Sequence, residues 1–106
     1  MNSYSDENST LIKLSSPHSR IHIDNNWSAA AIAGICTGSD IYSDPYVIED
    51  YEIDGGGSGV CILINNTNEY FRIQNCNFTN ADKGIHLWNT SNGEIRNTTS
   101  NRLWST

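Results

Sequence analysis

Apolar and polar residues alternate along this chain in short runs, and the runs recur. Ile48-Glu49-Asp50-Tyr51-Glu52-Ile53 and Ile73-Gln74-Asn75-Cys76-Asn77-Phe78 carry apolar or small residues at their first, fourth and sixth positions, and a further copy starts at Ile95. The starts at Ile48, Ile73 and Ile95 are nearly evenly spaced, and a second run, Ile62-Leu63-Ile64, returns in step as Ile85-His86-Leu87. Two strand signals repeating together, with a period of roughly 22 to 25 residues, require a chain that returns to the same place one strand spacing higher. The runs are β-branched, alternate with period two and are too short for a helix that covers a core. Leucine-rich repeats need several leucines per turn, and only Leu63, Leu87 and Leu103 occur here. The prediction is an all-β parallel β-helix of about three coils. Ile48, Tyr51, Ile53, Ile62, Ile64, Ile73, Cys76, Phe78, Ile85, Leu87 and Ile95 share the inward phase, which turns Cys61 outward. The asparagine-rich stretches Asn65-Asn66-Thr67-Asn68 and Asn89-Thr90-Ser91-Asn92 read as successive corners, since asparagine tolerates left-handed backbone and its amides can form stacked ladders.

The stretch before the repeat divides in two. Residues 1–20 read as a flexible arm: a polar segment to Thr10, then Leu11-Ile12-Lys13-Leu14, a β-capable run set apart by Ser15-Ser16-Pro17. Residues 21–106 read as the β-helix domain, with Ile21-His22-Ile23 as its first regular strand. Asp24, Asn25 and Asn26 offer N-caps for an Ala-rich helix over 27–35, closed by Gly34 or Gly38. An end-on core needs a cover, so this helix is expected to cap the first coil with Trp27, Ile32 and Ile35 on its buried side. From Thr37 to Tyr46 the chain reads as loop, with Pro45 fixing entry into the first full coil.

The pattern from Ile73 to Phe78, Gly84 to Leu87 and Asn89 to Asn92 resembles the right-handed parallel β-helix repeat of NosD-like and pectate-lyase-like proteins. Asn26 to Gly38, followed by Tyr42 to Asp50, is similar to the segment that opens such helices in archaeal surface proteins. The resemblance covers roughly residues 21–106. It implies a right-handed coil, and it speaks to fold more than to activity. Related repeats often bind carbohydrate, and pectate-lyase-like enzymes hold calcium on paired outward carboxylates.

Composition narrows the partners. Net charge is −6 and the six basic residues are scattered singly, which disfavours nucleic acid. No stretch reaches the length of a membrane span, and the start lacks the charged-then-apolar pattern of a signal peptide. A surface rich in asparagine, serine and threonine points to an extracellular or cell-surface location. Cys36, Cys61 and Cys76 show no CxxC spacing, which weakens a zinc site with His18, His22 or His86; a Cys36–Cys61 disulfide stays open.

Asp40, Asp44, Glu49, Asp50, Glu52 and Asp54 cluster just ahead of the glycine-rich stretch and supply half of the 12 acids. Asp44, Asp50, Glu52 and Asp54 are therefore the candidate calcium ligands, set against the plainer reading of a solvated acidic face with no cofactor at all. A lyase also needs a positioned base, and Arg72 and Arg96, at corresponding places one repeat apart, share no evident acid. Gly55-Gly56-Gly57-Ser58-Gly59 lacks the Lys-Ser/Thr of a phosphate loop and reads as a flexible turn. Tyr70, Trp88 and Trp104 are candidate sugar-stacking aromatics, nearby in repeat phase. Six N-x-Ser/Thr sequons, at Asn8, Asn26, Asn65, Asn77, Asn89 and Asn97, permit glycosylation.

The resulting expectation is a non-enzymatic extracellular structural protein that self-associates head to tail. Leu11, Ile12 and Leu14 on the arm would meet Ile95, Leu103 and Trp104 of a neighbour, because an open parallel edge templates another strand. The alternative is a carbohydrate-binding module of a cell-surface protein. A polysaccharide-degrading enzyme ranks third.

Overall fold

The computed structural model describes residues 16–39, 41–99 and 104–105. Asn8, Leu11, Ile12, Leu14, Asp40 and Leu103 lie outside the described residues. The chain is all-β with one short helix among the described residues. Its elements are β1 (Ser16–Pro17), β2 (Ile21–Asp24), α1 (Trp27–Ile32), β3 (Tyr46–Glu49), β4 (Tyr51–Asp54) and β5 (Val60–Thr67). They continue with β6 (Phe71–Gln74), β7 (Asn77–Thr79), β8 (Lys83–Thr90), β9 (Gly93–Arg96) and β10 (Trp104–Ser105).

The strands form three parallel sheets, ordered β1-β4-β7, β10-β8-β5-β2 and β3-β6-β9. From β1 to β9 successive strands fall into these three sheets in turn, and β10 then joins the sheet of β8. The repeat read from the sequence is the pairing register. Ile48 lies beside Ile73 and Ile73 beside Ile95, while Ile21, Ile62, Ile85 and the backbone of Trp104 line up in the second column. Ile48, Ile53, Ile62, Ile64, Ile73, Cys76, Phe78 and Ile85 are buried as expected. Tyr51, Leu87 and Ile95 only pack against that core. Tyr51 reaches out of it to donate its hydroxyl proton to the Ile35 carbonyl at 3.0 Å.

The corners explain the asparagines. Asn25, Asn66 and Asn89 follow register-matched positions of β2, β5 and β8, and their φ angles are 60°, 56° and 54°. Asp50, Asn75 and Asn97 form a second such column, at 65°, 56° and 46°. Left-handed backbone costs most residues about 1–2 kcal/mol, and Asn and Asp are the side chains that best tolerate it. A sequence that repeats its corners therefore repeats its asparagines.

Several expectations are corrected. Cys61 points inward, not outward: it and Ile62 are both 0% exposed. Strict alternation fails there, and the Cys61 thiol reaches the Ile53 carbonyl at 3.5 Å. The glycine connection is itself tied down. Arg20 donates to the carbonyls of Gly55 and Ser58, Gly57 N–H to Asn80 O at 2.7 Å, and Gly59 N–H to Asp82 Oδ2 at 3.0 Å. Ser16 and Pro17, within the stretch read as an arm, pair with Tyr51 and Glu52.

The helix is shorter than 27–35 and sits elsewhere in the chain's path. β1 and β2 both precede it and are paired with β4 and β5, so α1 lies in the connection from β2 to β3, after the Asn25 corner. Gly34, at φ 83°, ends it, with Gly34 N–H bonded to Ala31 O and Ile35 N–H to Ala30 O, a Schellman arrangement. Asn26 occupies the N-cap without a side-chain cap; its Oδ1 accepts from Asp24 N–H at 2.8 Å. Ile32, expected on the buried side, is 89% exposed, while Trp27 and Ala30 are buried. Trp27 is the anchor: its ring stacks on Tyr46 at 5.1 Å and Phe71 at 5.2 Å. Its Nε1–H donates to Thr67 Oγ1 at 3.1 Å, which satisfies the one polar atom of the buried indole. Tyr46, Phe71 and Gly93 share one register column, and the Phe71 ring occupies the space that a Cβ at position 93 would need. Gly93 is small because the ring beneath it is large.

Candidate functional site

Arg72 lies between the inward Phe71 and Ile73, so the pleat turns it outward, and register places Glu94 beside it. Arg96, two positions on from Glu94, faces the same way. Glu94 Oε1 accepts from Arg72 Nε at 3.0 Å and Oε2 accepts from Arg96 Nε at 2.8 Å. Hydrogen bonds from Arg96 first and Arg72 second hold the Glu94 carboxyl below the usual glutamate range. Arg72 and Arg96 are thus not register partners of each other, as their places in the repeat suggest, because Arg96 pairs with Gln74. The register that aligns Ile73 with Ile95 also sets Glu94 beside Arg72, and Glu94 is the acid both arginines share.

Aromatic residues stand beside this triad. Tyr70 precedes β6, and Tyr42 comes in from the 37–45 loop to meet it edge-on at 5.9 Å. That loop is fixed on β3 by an antiparallel bridge, Thr37 N–H to Val47 O at 3.0 Å and Val47 N–H to Thr37 O at 2.8 Å. The tyrosines and the triad line an open groove of about 640 Å³, together with Phe71 and Gly93. Asn92 lines it too, with its amide bonded to Asn68 O at 2.7 Å. Tyr42 is 84% exposed, so its ring is presented to solvent and to any ligand.

A second, polar groove of about 460 Å³ runs along the corner made by Asn66 and Asn89. There Asn89 Nδ2 donates to Asn66 Oδ1 at 2.9 Å and Asn66 Nδ2 to Asp24 Oδ1 at 3.0 Å. This is the amide ladder the corners predict.

The sequence-derived candidates are dispersed. Asp44 accepts from the Ser39 hydroxyl at 2.7 Å in the loop, Asp50 occupies a left-handed corner, and Glu52 and Asp54 are exposed on β4. Asp54 Oδ1 accepts from Gly56 N–H at 2.8 Å, and Glu49 from Gln74 Nε2 at 2.7 Å. Among the described residues no group of three or more His, Cys, Asp or Glu could share a metal ion. Trp88 is 56% exposed on the sheet of β5 and β8, beside Asn65, whereas Tyr70 borders a different sheet, so the two do not make one platform. Of the sequons, Asn26, Asn89 and Asn97 are exposed; Asn65 and Asn77 are half-buried, and Asn77 accepts from the Thr99 hydroxyl at 2.8 Å. Cys36, Cys61 and Cys76 are free and buried, with no Cys36–Cys61 disulfide, and burial pushes each thiol pKa up. No helix among the described residues is long and apolar enough to cross a membrane. Tyr42, Asn92 and Glu94 escaped the sequence reading because Tyr42 lies outside the repeat and the other two acquire meaning only from register. In comparisons with known proteins the chain matches no family model, no curated protein and no solved structure.

Proposed function

We propose that the chain is a short right-handed parallel β-helix that serves as a non-enzymatic carbohydrate-binding module at a cell surface or outside the cell. The cyclic visiting of three parallel sheets supports the coil, and right-handed crossovers are the rule between parallel strands. The observation that carries the function is the groove, lined by two tyrosines and an arginine–glutamate–arginine set. Aromatic faces suit the apolar faces of pyranose rings, and fixed charged donors suit their hydroxyls. Glu94 is pinned by both arginines, which suits a binding group better than a general base. Calcium stays outside this reading.

Titration with a panel of oligosaccharides tests it. Tyr42→Ala is expected to weaken binding at least tenfold without loss of fold, while Trp88→Ala leaves it unchanged. Loss of binding on Trp88→Ala with none on Tyr42→Ala would move the site to the other sheet.

Head-to-tail assembly is the second reading, favoured by β9. Its edge away from β6 pairs with no strand among the described residues, and Ile95 on it is only partly covered. The opposite end is more protected, by Pro17 on β1 and by the Thr37 bridge along β3. Light scattering over a concentration series decides it: a monodisperse monomer, unchanged by deletion of residues 1–14, would rule assembly out.

A further inference from the structure

We infer that the ligand of the Tyr42–Arg72–Arg96 groove is a saccharide bearing a sulfate ester, held between the two arginines; the inference rests on the carbohydrate reading above. Both arginines engage Glu94 through Nε alone, so the terminal amino groups of both guanidinia are left over from that pairing. Their side chains keep 26% and 52% of their exposure, so those donors are reachable from the groove. The charge balance points the same way. A chain of net charge −6 places two arginines against one glutamate along this groove, a local excess of positive charge in an acidic protein.

The shape of the anion follows from what Glu94 already occupies. Its two oxygens are already taken, one by each Nε. The remaining donors belong to two different guanidinia, and an acceptor serving both is best supplied by more than two oxygens. A sulfate ester has three terminal oxygens in a tetrahedral arrangement. A second carboxylate has two in a plane, the geometry that one arginine takes alone. Tyr42 and Tyr70 then supply the stacking surface for the sugar ring that carries the sulfate.

Calorimetric titration of the full chain with a sulfated galactan oligosaccharide, its desulfated counterpart and an oligogalacturonate of equal length tests the inference. Desulfation is expected to weaken binding about tenfold or more, the scale of a charge-assisted hydrogen bond. Arg72→Gln and Arg96→Gln are expected to abolish that difference. Glu94→Gln removes the competing carboxylate and is expected to widen the preference for the sulfated over the desulfated ligand several-fold. Added salt should weaken the sulfated complex and leave the desulfated one unchanged. Should an arginine variant fail to fold, the Glu94→Gln and salt comparisons still decide the matter. Equal binding of sulfated and desulfated forms, both weakened by Tyr42→Ala, overturns the sulfate assignment and leaves the carbohydrate reading standing. Oligogalacturonate binding as tight as the sulfated ligand also overturns it, because a carboxylate then suffices. Absence of binding to all three overturns the sulfate assignment, and the wider oligosaccharide panel then decides the carbohydrate reading.

Discussion

Ile73 is the side chain flanked within its sheet by a paired strand on each side. It is 0% exposed and lies in register with Ile48 in the strand before and Ile95 in the strand after. Replacing it with alanine removes Cγ1, Cγ2 and Cδ1, worth about 0.8 kcal/mol each in lost transfer energy, or about 2.4 kcal/mol together. The void is walled by backbone already committed to ladder hydrogen bonds, so it relaxes poorly, and the cavity brings the total to about 3–4 kcal/mol. Ile95→Ala is the internal control. It makes the same chemical change at a partly exposed site in the same column, and about half the loss is expected. Urea unfolding followed by tryptophan fluorescence and by far-ultraviolet circular dichroism measures both variants at constant m-value. In thermal melts each kcal/mol corresponds to about 4–8 °C for a domain near this size. An Ile73→Ala variant that loses less than Ile95→Ala would refute the register argument, because it would place the better-covered position at 95.

Thr67→Val is expected to cost about 1–3 kcal/mol by leaving the buried Trp27 Nε1–H without its acceptor, whereas Thr67→Ser should be nearly neutral; unfolding midpoints check this. Asn66→Gly keeps the left-handed corner and loses only the amide ladder, so Asn66→Ala should be the less stable of the two by about 1 kcal/mol in the same assay. All three thiols are expected to react with a thiol reagent only after unfolding, and fast labelling of the native chain would contradict their burial. Glu94 has a folded pKa below its unfolded value, so its contribution is present above the unfolded carboxyl range and is lost as pH falls through the folded pKa. Glu94→Gln should therefore flatten the acid limb of the melting temperature plotted against pH, and an unchanged limb would show the triad to be energetically idle.

The sequence alone determined whatever is periodic. Alternation within a strand is a local property of the pleat, so Ile48, Ile73 and Ile95, or Ile62 and Ile85, declare their inward phase without knowledge of neighbours. Left-handed corners are equally local, and asparagine marks them because few other side chains accept that backbone. Tertiary structure decided whatever breaks the period. Cys61 turns inward against the alternation, with its thiol at the Ile53 carbonyl, and position 93 is glycine because the Phe71 ring in its column fills the space of a Cβ. Trp27 closes that aromatic cluster from a helix whose place, after β2 and not ahead of the paired strands, depends on β2 finding β5 across the intervening chain. The groove is the clearest case. Tyr42 reaches Tyr70 across a long loop, and Glu94 meets both arginines only because β9 pairs with β6 in the register that sets it beside Arg72, so its chemistry exists only once the sheets are paired.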